Sequence, residues 1–169
     1  YSNTASVIAP SGRITARYPK IHLFQPGREH EKFVAGNRAV VVPTPFGKIG
    51  LAICYDLRFP ELMRKLVLSG ADLLIVPAAW PLLRIDHYLT LLKARAIENL
   101  CFVVGVNKSG TNAEGIVYGG NSVIYHPWGQ ALLQLREQQE IQSLAIDLNE
   151  VQKIRREFPV FEARREEAY

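Results

Sequence analysis

The chain alternates two kinds of apolar pattern. Some short runs are apolar throughout: Leu73-Leu-Ile-Val76 and Cys101-Phe-Val-Val104. Such runs read as strands covered on both faces. Between them lie stretches with helical spacing. Residues 57–68 place Leu62, Leu66 and Leu68 on a helix, with Gly70 just past its end. Residues 86–100 read as a second helix, with Asp86 as its expected cap. Residues 4–9 and 13–17 read as a hairpin around Pro10-Ser11-Gly12, and residues 39–42 and 48–54 as strands joined through 43–47. Further strands are expected at 118–125, 130–135 and 144–146, and a short helix at 149–157. Strands alternating with helices predict an α/β domain.

No repeat, linker or low-complexity segment divides the 169 residues, which is the length of one ordinary domain. Apolar residues make up 48% and charged residues 21%, a globular balance and not a disordered one. No apolar run approaches the roughly 20 residues that a membrane helix needs. The net charge is +4, and the basic residues are scattered. The densest group, from Lys153 to Arg165, is interleaved with glutamates. Nucleic-acid binders instead gather Lys and Arg on one face or in tracts, so neither nucleic acid nor membrane is expected as a partner. The first 85 residues carry 11 basic and 5 acidic side chains, which suits a small anionic substrate.

The two cysteines, Cys54 and Cys101, show no CxxC or metal-type spacing, and the four histidines stand apart. No metal site and no cofactor is expected. Nothing points to secretion, so free thiols in the cytoplasm are the expectation. Cys101 opens an apolar strand and reads as core. Cys54 ends a buried apolar strand, and a helix is expected two or three residues later. That geometry presents a thiol at the tip of a sheet, where α/β proteins bind ligands. A helix N-terminus there lowers a thiol pKa and offers N–H groups to an oxyanion. The bland alternative, a small buried hydrophobe, stays open on position alone. A cysteine nucleophile also needs a proton acceptor and a group that steadies negative charge. Lys20, Glu29 and Glu31 are the candidates, although Lys20 taken alone reads better as a solvated lysine.

Three blocks taken in order resemble the nitrilase superfamily, the carbon–nitrogen hydrolases. They are Lys20-Ile-His-Leu-Phe24, Gly50-Leu-Ala-Ile-Cys54-Tyr-Asp-Leu-Arg-Phe-Pro-Glu61 and Lys93-Ala-Arg-Ala-Ile-Glu98-Asn99. Pro77-Ala-Ala-Trp80-Pro81, Gly120-Asn-Ser122 and Pro127-Trp-Gly129 support them. The likeness runs over essentially the whole chain. It implies an αββα sandwich and a Glu-Lys-Cys triad, with Cys54 forming a thioester and Lys20 steadying the tetrahedral intermediate. It also implies a second glutamate near the site. Counting back seven positions from the glycine of Ala35-Gly36 gives Glu29, with Glu31 as the fallback. The backbone N–H of Tyr55 is the implied oxyanion donor.

One departure stands out. The family's general-base glutamate lies upstream of its lysine, and here no Asp or Glu precedes Lys20. The chain begins at Tyr1, and its only methionine is Met63. The expectation is therefore a partial carbon–nitrogen hydrolase domain over 1–169, the C-terminal two thirds of the enzyme, lacking N-terminal strands and helices and inactive alone.

Within the superfamily, Cys54-Tyr55-Asp56 resembles the amidase branches. Glu29-His30, Ala35-Gly36-Asn37, Trp80-Pro81, Arg84 and His87 resemble the omega-amidases, which cleave the terminal amide of 2-oxo acids such as 2-oxoglutaramate. An anionic substrate needs a cation, and Arg58 and Arg84 are the candidates, with Arg58 equally able to pair with Asp56 or Glu61. Tyr55 and Trp80 complete the expected binding set. The resemblance implies a homodimer or higher homo-oligomer. Three alternatives remain: a hydrolase of N-carbamoyl amino acids or other small amides, a non-catalytic binding subunit, and an acyltransferase of the same fold.

Overall fold

The computed structural model describes residues 1–136 and 140–168. Its centre is a six-stranded mixed sheet with strands in the order β10 (Ala131–Gln134), β9 (Val123–Tyr125), β6 (Phe102–Asn107), β5 (Leu73–Ala78), β4 (Gly47–Leu51) and β3 (Val41–Thr44). Three neighbouring strands run parallel: β4, β5 and β6. β3, β9 and β10 extend the sheet with antiparallel pairs. Helix α1 (Pro60–Leu68) connects β4 to β5, and α2 (Ile85–Asn99) connects β5 to β6. Parallel neighbours require such crossovers.

Both helices pack on one face. Leu62, Met63, Leu66 and Val67 of α1 and Tyr88, Leu92 and Ala96 of α2 meet Leu51, Leu74, Val76 and Val103 of the sheet. Leu68, the last of the helix's apolar positions, points outward at 44% exposure. Two strand glycines allow the close approach. A Cβ on Gly50 would lie 2.7 Å from Leu74 Cδ2, and one on Gly105 would lie 2.4 Å from Leu92 Cδ1. The opposite face carries a smaller cluster of Leu73, Phe102 and Val151, the last from α3 (Asn149–Glu157). Arg155 of α3 donates to the Leu100 and Ala71 carbonyls and so ties this helix to the strand entries.

The predicted hairpin forms as β1 (Thr4–Ile8) and β2 (Ile14–Pro19), and its Tyr18 is buried in the main core. Three expectations are corrected. The 118–125 strand is broken in two, because Gly120 and Asn121 both take left-handed backbone angles (φ 55° and 54°). Its first part, β8 (Val117–Gly119), pairs with the unforeseen β7 (Ser109–Thr111) as a separate hairpin. Residues 144–146 form no strand; Ile146 instead packs on the smaller cluster. The N-cap residue of α2 is Arg84 rather than Asp86, and its side chain makes no capping hydrogen bond. Among the described residues, no helix is long and apolar enough to cross a membrane.

Candidate active site

The parallel strands deliver their carboxyl ends to one rim of the sheet, and the site lies there. Residues beyond β4, Cys54 to Arg58, form a 3₁₀ turn, and the α-helix starts only at Pro60. The helix expected two or three residues after Cys54, from Leu57, is thus preceded by this tighter turn and begins later. Cys54 sits at its first position with φ +49°. A left-handed non-glycine residue carries strain of about 1–3 kcal/mol and persists only where its surroundings hold it. Arg95 of α2, 6% exposed, is one such hold: its Nε and Nη2 donate to the Leu57 carbonyl at 3.2 and 2.9 Å. Glu98 braces the guanidinium from the other side at 3.0 Å.

Lys20 follows β2 and is 1% exposed. Its Nζ lies 2.6 Å from Glu29 Oε2. Glu29 also accepts the Phe24 N–H at 2.7 Å and the Asn3 amide at 3.2 Å. Partial burial alone raises a carboxyl pKa. Here the bonds from Lys20, Phe24 and Asn3 and the Lys20 charge outweigh it, and Glu29 is held below the ordinary value. Glu31, the fallback, pairs instead with Arg28 at the surface.

The thiol departs from expectation. Burial pushes the Cys54 pKa up, and the backbone amides of Ala79 and Tyr55 and the charge of Lys20 only partly offset it, while Glu29 adds to the rise. With no helix terminus directly behind it, the sulfur rests as a thiol and depends on a proton acceptor for activation. Cys101 is fully buried, and its thiol is pushed up to about 12. Both cysteines are free.

Arg58 pairs with neither Asp56 nor Glu61. Its guanidinium lies 4.8 Å from the Trp80 ring centroid, and its Nη2 is 3.4 Å from His87 Nδ1. Trp80 is 3% exposed and locked through its indole N–H to the Arg84 carbonyl at 2.8 Å. Asn107 at the end of β6 holds the Trp80 backbone on both sides. Tyr55 meets Phe24 and Phe59 edge-on at 5.1 and 5.4 Å. All seven candidate residues, Lys20, Glu29, Cys54, Tyr55, Arg58, Trp80 and Arg84, line a single cleft of about 570 Å³. A larger groove of about 960 Å³ over β6, β9 and β10 contains none of them.

Sequence reasoning missed part of the lining. Asn3 reaches the site from just before β1, and Asn112, Glu114, Ile116 and Tyr118 come from the β7–β8 hairpin. It also missed the buried carboxylate of Asp56, whose signal was its place two residues after the cysteine in Cys54-Tyr55-Asp56. Among the described residues, no group of three or more His, Cys, Asp or Glu is arranged to hold a metal ion.

The family profile described as carbon-nitrogen hydrolase matches residues 1–156. A 2-oxoglutaramate amidase of Bacillus subtilis is 40% identical over 99% of the chain and 64% of its own length. A deaminated glutathione amidase of Synechocystis is 38% identical over 96% of the chain and 63% of its own length. The crystal structure of the Caenorhabditis elegans NitFhit protein superimposes with a TM-score of 0.91 at 40% identity, covering 99% of this chain and 43% of that one. The chain thus spans about 64% of the length of its relative from Bacillus subtilis.

Proposed function

The chain belongs to the carbon–nitrogen hydrolase family, and from that premise we propose that it carries the nucleophile of an amidase acting on the ω-amide of a small 2-oxo acid. The observation that carries this reading is the single cleft shared by Cys54, Lys20, Glu29 and two arginines. Relatives named 2-oxoglutaramate amidase and deaminated glutathione amidase support an amide substrate over a nitrile.

In the proposed mechanism the Cys54 thiolate attacks the amide carbon and forms a carbon–sulfur bond. The carbonyl electron pair moves to oxygen, where the Lys20 ammonium and the Tyr55 N–H hold it. The C–N bond then breaks, the nitrogen takes the proton that the Cys54 thiol first gave to the family's general-base glutamate, and ammonia leaves. Water adds to the thioester, and its hydrolysis frees the acid and the thiol. Glu29 holds the Lys20 ammonium in place through their 2.6 Å ion pair. The family's general base, a glutamate upstream of Lys20, is not among these residues. Residues 1–169 alone are therefore proposed to be inactive.

Arg58 and Arg84 are the proposed partners of the substrate carboxylate. Arg58 is the better prepared, since the Trp80 face fixes it without neutralising its charge. A homo-oligomer in the cytoplasm belongs to the same proposal, and a reducing compartment suits a working thiol.

The test is ammonia release by the full-length protein from 2-oxoglutaramate, a neutral short amide and an aliphatic nitrile, with mass spectrometry of the acyl-enzyme. The expected order in kcat/KM is the anionic amide first, with the acyl mass on the peptide that contains Cys54. Arg58→Ala is expected to raise KM for the anion and to leave the neutral amide nearly unchanged. A nitrile as the best substrate, or an acyl group on another residue, overturns the reading.

A further inference from the structure

Asp56 is fully buried, and among the described residues the ionisable side chain paired with its carboxylate is the His22 ring, 2.8 Å away. A buried carboxylate is tolerated only where hydrogen bonds replace its hydration. Here four donors do so, and they come from two segments. Oδ2 accepts the Ile53 N–H at 2.8 Å and the Tyr18 hydroxyl at 2.8 Å. Oδ1 accepts the His22 N–H at 3.0 Å and lies 2.8 Å from His22 Nδ1. Ile53 immediately precedes Cys54. Tyr18 and His22 stand two residues before and two after Lys20.

The secondary contacts tighten the same junction. Tyr18 Oη accepts the Ile21 N–H at 3.3 Å. Burial, with the Asp56 charge beside it, drives the Tyr18 phenol far upward, so the hydroxyl stays a donor. The His22 ring stacks on Phe59 with centroids 3.6 Å apart, and Phe59 follows the Cys54 turn.

We propose that Asp56 is a positioning residue that staples the Lys20 segment to the Cys54 turn, and so sets the separation of ammonium and thiol. The proposal rests on the catalytic reading of Lys20 and Cys54 given above. The donor pattern explains why aspartate is needed. Each oxygen takes one backbone N–H, and neither N–H can be reversed. An asparagine presents an NH₂ to one of them in either flip. It therefore releases either the Lys20 segment or the Cys54 turn, whichever way it points. Were Asp56 only a local cap for the 3₁₀ turn, the Ile53 bond would suffice, and the two side chains bracketing Lys20 would be incidental.

The experiment is a double-mutant cycle in the full-length protein, read as kcat and KM for ammonia release beside thermal unfolding. Asp56→Asn is expected to lower kcat about 100-fold with KM changed less than about threefold, as misplacement by an ångström does. Tyr18→Phe, which keeps the ring and removes one donor, is expected to lower kcat by about three- to tenfold. In a Lys20→Met background both substitutions are expected to cost less than about threefold, because the group they position is already gone. Multiplicative losses in that background, or a change confined to KM or to unfolding temperature, overturn the proposal. If Asp56→Asn does not fold, Tyr18→Phe runs the same cycle. Full activity of Lys20→Met alone instead refutes the catalytic reading, so the two failures are distinguishable.

Discussion

Replacing Lys20 separates what its ion pair does for folding from what it does for chemistry. Lys20→Met keeps an unbranched side chain and removes the ammonium. Glu29 then loses its 2.6 Å partner but keeps the Phe24 N–H and the Asn3 amide. Breaking a buried pair costs about 3–5 kcal/mol. The Glu29 side chain, however, is 21% exposed and retains two donors. That places the cost nearer the range of about 1–3 kcal/mol for an unsatisfied polar group. At this chain length 1 kcal/mol moves the unfolding temperature by about 2–4 °C, so a loss of roughly 4–8 °C is expected for a cost near 2 kcal/mol. The activity loss is expected to be about 100-fold or more, as for other lost oxyanion donors. The two effects part in the double variant Lys20→Met/Glu29→Gln. A neutral amide in place of the stranded carboxylate is expected to regain most of the unfolding temperature and none of the rate. Thermal unfolding by circular dichroism and an ammonia assay on the full-length protein read both. Near-normal turnover by Lys20→Met refutes its role at the oxyanion, and a double variant no more stable than the single one refutes the stranded-charge argument.

Other consequences are independent of that pair. Cys54→Ala is expected to abolish turnover, whereas Cys101→Ala costs only stability, about 1–2 kcal/mol, in denaturant titrations. Because Cys54 has φ +49°, Cys54→Gly is expected to be inactive yet about 1–2 kcal/mol more stable than Cys54→Ala, as left-handed strain is relieved. Gly105→Ala places a methyl 2.4 Å from Leu92 and 2.5 Å from the Tyr88 hydroxyl, and is expected to cost about 1–3 kcal/mol by overpacking. For Glu29 the folded pKa lies below the unfolded one, so the unfolded state binds more protons between them. Its stabilising contribution is therefore complete above the unfolded pKa near 4.5 and is lost as pH falls through the depressed folded value. Unfolding temperatures of wild type and Glu29→Gln are expected to converge in acid, and a constant gap down to pH 2 contradicts the assignment.

The order of strands and helices was legible along the chain because it rests on local periodicity. Short all-apolar runs such as 73–76 suit strands covered on both faces, and Gly70, with φ +98° just beyond α1, stops that helix where the pattern says it ends. The place of Cys54 at the tip of β4 followed from the same pattern, and the motif blocks named the family. Where local signals were ambiguous the reading slipped. The apolar stretch across Gly120 and Asn121 reads as one strand, and only its backbone angles reveal two.

What the tertiary structure alone decided is which groups face one another. Glu29 and Glu31 are two residues apart and chemically alike, and only the fold turns one toward Lys20 and the other toward Arg28. Arg58 had two carboxylates close in sequence, yet it lies on Trp80 and His87 because Asp56 is already filled by Tyr18, Ile53 and His22. The resting state of Cys54 was read with the wrong sign. The sequence suggested a helix terminus that lowers the pKa, and the packed site supplies burial that raises it. The contacts of Asp56 with Tyr18 and His22 and of Arg58 with His87 join segments some 30 to 40 positions apart. Periodicity carries no record of such pairings, because desolvation and hydrogen bonding depend on the neighbours that folding brings together.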